Sequence, residues 1–107
     1  MNLHALVAVH GHLLIACDSA YSVRRALDAW ELRGALTALR CLGSALVAAE
    51  QVCKLIEGED TSARDARLLL RRTREAAGPA LARAWIWFPE IVDRILSEMD
   101  SACHPPG

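Results

Sequence analysis

Three features of the sequence predict an all-α fold, a small antiparallel bundle of about four helices. The 107 residues include 19 Ala and 16 Leu, which are strong helix formers. The β-branched residues are scattered singly, without the runs that mark strands. Apolar positions recur at three- and four-residue spacing almost throughout, the period of helices that turn one face to a core. A chain of this length is expected to form one domain, residues 1–103, with 104–107 as a disordered tail. Such a domain buries roughly two-thirds of its unfolded surface, so its core needs neither metal nor disulfide.

The first helix is predicted to start at Asn2, whose side chain suits an N-cap. Its stripe runs Leu3, Leu6, Val7, Leu13, Leu14 and Cys17. The helical pattern then continues to residue 57 without a proline. One rod over 3–57 would be about 80 Å long, too long for this domain, so the chain must turn back. Gly34 can end a helix in the left-handed conformation, which places the break near 31–34. Asp18-Ser19 and Ser22 mark a kink near 18–22. Tyr21 and Trp30 fall close to apolar stripes and are expected in the core.

The next helix, about 34–57, carries Leu39, Leu42, Leu46, Val52, Cys53 and Ile56, with alanines that let neighbours approach closely. Gly58 through Ser62 reads as a turn, with Ser62 and Asp65 placed as a capping box. A third helix over about 62–77 is expected to stop at Gly78-Pro79. The last helix runs from Pro79 toward Ser101, kinked or broken at Pro89, which cannot donate a hydrogen bond inside it. Its expected core stripe is Leu81, Trp85, Phe88, Val92, Ile95 and Met99. Ile86 and Trp87 are left off that stripe, unless Pro89 turns the four residues 85–88 into an irregular corner.

Net charge is −1, so nothing global points to nucleic acid or anionic lipid. Of the 12 cationic residues 11 are Arg, which favours bidentate pairing with carboxylates; a GC-rich genome produces the same bias. Arg64, Arg67, Arg71 and Arg74 recur at spacings of 3, 4 and 3 on one helical face, with Leu68 among them. Residues 61–83 carry net charge +4 and residues 84–107 net −3, so the two segments are placed to neutralise each other within the fold or across a dimer.

Catalytic and metal motifs are missing. Cys17, Cys41, Cys53 and Cys103 are separated by 24, 12 and 50 residues, which fits no zinc or CxxC pattern. His10 and His12 are two apart and face away from each other on a helix. There is no HExxH, GxSxG or phosphate-cradling glycine loop. The sequence therefore predicts no enzyme, no metal and no cofactor. Leu14-Ile15-Ala16-Cys17 has the form of a lipobox, but the N-terminus lacks a basic residue before it and His10-Gly11-His12 interrupts the apolar run. The expectation is a cytoplasmic protein without a membrane span or membrane partner.

The function expected is that of a small protein–protein interaction module, an adaptor, regulatory subunit or inhibitor of the kind mobile elements or phages encode. Its partner-binding residues are Arg64, Arg67, Leu68, Arg71, Arg74, Ile86 and Trp87. They are expected to meet a protein with an acidic surface, with homodimerisation through helix faces alongside. The alternatives are a nucleic-acid-associated regulator using the same arginines and a metal- or thiol-binding bundle.

Overall fold

In a computed structural model, which describes residues 3–56 and 61–103, four helices follow one another: α1 (Leu3–Asp28), α2 (Leu32–Leu55), α3 (Thr61–Trp87) and α4 (Pro89–Cys103). No strand occurs among the described residues. The long helices have 24 to 27 residues, about 40 Å at 1.5 Å per residue, which sets the long dimension of the 45 × 28 × 17 Å molecule. α1 packs on α2 along its length and on α3, whereas α4 sits on α2 and α3 and does not reach α1. Residues 58–60 of the expected turn at 58–62, the Asn2 cap, the Ser62 side chain and the 104–107 tail lie outside the described residues, while Thr61 and Ser62 already belong to α3.

Alanine explains how four helices fit so thin a body. The larger apolar cluster joins Ala16, Ala20, Val23 and Leu27 of α1 to Leu39, Leu42 and Leu46 of α2, Ala77, Ala80 and Ala84 of α3, and Val92, Ile95 and Met99 of α4. A smaller cluster at the other end joins Val9 and Leu13 to Ala49, Ile56, Ala63, Ala66 and Leu70. Small side chains let helix axes come near the lower end of the usual 8–10 Å range. α4 comes close to α2 at Gly43, where a Cβ would stand 2.6 Å from Ile95 Cγ1.

The first break differs from the sequence expectation in its device. α1 is unbroken through 18–22 and ends at Asp28, and the left-handed residue is Trp30 (φ 60°), not Gly34. The Glu31 N–H bonds Ala26 O at 2.8 Å and the Trp30 N–H bonds Leu27 O at 3.1 Å, the paired bonds that close a helix with a residue usually glycine. A non-glycine there costs about 1–2 kcal/mol. The Trp30 ring meets Trp87 edge to face with centroids 5.5 Å apart, a contact worth about 0.5–1.5 kcal/mol. Gly34 lies inside α2. Neither Trp30 nor Tyr21 is core: they are 72% and 61% exposed.

The second correction concerns α3. Gly78-Pro79 does not stop it; the helix continues to Trp87 with Pro79 inside. Pro79 lies on the exposed side, where water can take the Glu75 carbonyl that the proline cannot serve. The break falls at Phe88 instead. The Phe88 N–H closes α3 on Ala84 O at 2.7 Å, and Phe88 O receives the Val92 N–H at 3.1 Å to open α4. Pro89 is thus the first residue of α4, where its missing N–H costs nothing.

Hydropathy needs a correction too. His4–Asp28 and Leu32–Leu55 each reach a mean hydropathy of 1.3 over a window long enough to cross a membrane, although the sequence reading expected no such stretch. In this fold α1 turns Val9, Leu13, Ala16, Ala20, Val23 and Leu27 to the interior, and α2 does the same with Leu39, Leu42 and Leu46.

Candidate functional site: a basic groove between α2 and α3

α2 and α3 touch less closely than the other neighbouring long helices, and a groove of about 520 Å³ opens between them. Arg67, Arg71 and Arg74 project into it from successive turns of α3, and Lys54 joins them from α2. Glu50, Cys53, Leu70 and Glu75 complete its walls. Among the described residues of its walls four cations stand against two carboxylates, although the chain as a whole is slightly acidic.

Glu50 organises the site. Its side chain is 3% exposed, and Arg74 Nη1 lies 3.2 Å from its Oε1. Burying a carboxylate is costly unless it is paired, so Glu50 fixes where Arg74 sits, while the 43% exposed arginine side chain keeps part of its surface to the groove. The neighbouring Cys53 thiol donates to Ala66 O at 3.8 Å. Thr73 is buried on the same helix and returns its hydroxyl to Leu69 O at 2.9 Å.

Two ion pairs of α3 arginines lead to α2 and α1, where the sequence reading looked to the acidic C-terminal segment. Arg74 pairs with Glu50 of α2, and Arg83 Nη2 lies 2.6 Å from Asp28 Oδ1 of α1. Asp93 of α4 instead accepts the Trp85 indole N–H at 3.1 Å.

The structure divides the expected partner-binding residues among three surfaces. Arg67, Arg71 and Arg74 line the groove; Arg64 is exposed one turn earlier on the same row. Leu68 is exposed on the side facing α1, beside Leu6, His10, Asp65, Leu69 and Arg72. Ile86 is exposed near the end of α3, and Trp87 turns away to Trp30. The sequence reading missed Glu50 and Lys54. A carboxylate four residues after Leu46 and three before Cys53, inside an apolar row, was the available signal.

A second depression, of about 380 Å³, follows along α3. Its walls are Leu46, Gly78, Leu81, Ala82, Trp85, Val92, Leu96 and Met99, and Arg74 again. Arg74 therefore belongs to both depressions.

His4 and His10 are exposed and His12 is half-buried; Cys17 and Cys41 are exposed free thiols. Among the described residues no three His, Cys, Asp or Glu side chains converge as a metal site would require. Comparison of the chain with known family models, with curated proteins and with solved structures returns no match.

Proposed function

We propose that this chain is a small non-enzymatic protein–protein interaction module, working in the cytoplasm as an adaptor, regulatory subunit or inhibitor, and that it receives an acidic surface of its partner in the α2–α3 groove. The observation that carries this reading is the convergence of Arg67, Arg71, Arg74 and Lys54 on one open groove beside a buried carboxylate. Guanidinium groups held on successive helical turns match carboxylates bidentately. The chain's net charge of −1 weighs against a phosphate backbone. Arg64 extends the row, and Leu68 borders it on the α1 side.

The test is affinity capture from the native cell with the wild-type protein and with Arg67→Glu/Arg71→Glu. Both positions are exposed, so helicity and melting temperature should be unchanged while the partner is lost. Capture that survives the double charge reversal would show that the face is only solvated. A filter-binding titration with DNA and RNA separates nucleic acid from protein, because only a phosphate-binding face would retain the nucleic acid, with an affinity that falls steeply as salt rises.

A further inference from the structure

Because α3 runs through Gly78-Pro79, two patterns that look separate in the sequence become one line. Arg64, Arg67, Arg71, Arg74, Gly78, Leu81 and Trp85 follow at spacings of 3, 4, 3, 4, 3 and 4. That alternation keeps all seven on one side of the helix and is the repeat with which a helix receives another helix. The line is basic in its first half and apolar in its second. The basic groove and the apolar depression share Arg74 as a wall and lie end to end along α3 as a trough in two parts, with the Arg74–Glu50 pair at their meeting point. A Cβ added at Gly78, in the middle, meets nothing within 4 Å, which leaves the floor open where an incoming backbone comes closest.

We infer that the trough takes an amphipathic helix of a protein partner. Its Asp and Glu residues lie over Arg67, Arg71 and Lys54, and its apolar residues lie over Gly78, Trp85 and Leu96. This rests on the reading of the groove as a dock for acidic protein surface and names the shape and the second half of what docks. Arg67 to Trp85 spans about 27 Å, or five turns, so the occupant has about 18 residues. Charge complementarity picks a helix with several carboxylates over a single-chain fatty carboxylate, because Arg67 and Arg71 stand a turn apart and Lys54 is on the facing helix, so one anion cannot meet all three. A second copy fits less well. α4 is the chain's own acidic amphipathic helix, and its apolar residues Val92, Ile95 and Met99 are already buried.

The test uses synthetic 18-residue helices with Glu at the facing positions of one half and Leu at those of the other, made in both chain directions. All-Glu and all-Leu helices serve as controls. Binding is read by fluorescence anisotropy against the wild type, Gly78→Leu, and Arg67→Glu/Arg71→Glu, with circular dichroism melts to verify folding. A leucine at 78 grows into open space, so it should block the trough without unfolding the protein; Gly78→Ala is the milder companion. One mixed helix should bind with micromolar affinity, weakened at least tenfold by Gly78→Leu and by the double arginine variant.

The inference is overturned if neither mixed helix binds, or if Gly78→Leu binds as tightly as the wild type. It is also overturned if dodecanoate saturates the protein while the mixed helices do not. A sedimenting dimer that Arg67→Glu/Arg71→Glu dissociates would assign the trough to a second copy and overturn it as well. If the all-Glu helix binds wild type and Gly78→Leu equally well, acidic docking stands and only the apolar half fails. If the arginine variant binds every helix like the wild type, the docking reading itself falls.

Discussion

Arg74 lies 3.2 Å from the buried carboxylate of Glu50, with most of the burial on the acid's side of the pair. That asymmetry predicts unequal effects of removing the partners. Arg74→Leu strips a cation from a carboxylate that cannot reach bulk water and should cost about 2–4 kcal/mol. Glu50→Gln leaves an arginine that can still hydrate and should cost less, about 1–2 kcal/mol. Glu50→Leu with Arg74→Leu should recover most of the loss. Urea unfolding of the three variants checks the order, and equal costs for the two single variants would refute it.

Arg83 and Asp28 form the shorter pair, at 2.6 Å, yet both side chains are well exposed. Solvent screening reduces such a pair to about 0–1 kcal/mol. Asp28→Asn should therefore shift the melting temperature little, and 1 M salt should erase the difference from wild type. A shift larger than that of Glu50→Gln would contradict the ranking.

Trp30 holds a left-handed backbone that glycine adopts freely. Trp30→Ala loses the ring contact and keeps the strain, whereas Trp30→Gly loses the contact and relieves the strain. Thermal unfolding should therefore place Trp30→Gly about 1 kcal/mol above Trp30→Ala. Trp87→Ala removes only the contact and should cost about 0.5–1.5 kcal/mol.

Gly43 admits α4 by lacking a side chain. Gly43→Ala would drive a methyl into Ile95 at 2.6 Å, and overpacking of this kind costs about 1–3 kcal/mol, more than alanine's better helix propensity returns. Ile95→Val placed in the same variant should recover part of the loss. A stabilised Gly43→Ala in denaturant titration would mean that α4 can shift at no cost.

Pro79 sits in the interior of α3 on its exposed side. Pro79→Ala restores the hydrogen bond to the Glu75 carbonyl and should stabilise the protein by about 1–3 kcal/mol. Differential scanning calorimetry provides the measurement. An unchanged melting temperature would show that the helix has already adjusted around the ring.

Much of the fold was legible because the periodicity of Leu39, Leu42 and Leu46, or of Val92, Ile95 and Met99, tracks burial, although Val7, Leu14 and Trp85, assigned to core stripes by the same rule, are exposed. The turns were harder to read because they depend on context. Gly34 and Gly78-Pro79 have the local chemistry of helix ends, yet Gly34 falls in the first turn of α2 and α3 continues through Gly78-Pro79. Trp30 has the wrong chemistry for a helix end and is held there by Trp87 and two backbone bonds. The arginine row was visible at its own spacing, but joining it to Leu81 and Trp85 required knowing that α3 does not stop. Glu50 was hidden by the same limit: one acid in an apolar row gains meaning only when the facing helix supplies Arg74.

The proline inside α3 also has a mechanical consequence. Where its ring replaces an N–H, the helix is held by one tie fewer than at any turn on either side, and that weak turn falls between the row of guanidinium groups and the apolar stretch ending at Trp85. Bending there tilts one stretch against the other at less cost than bending elsewhere along α3, so the proline gives an otherwise stiff rod a joint at its middle.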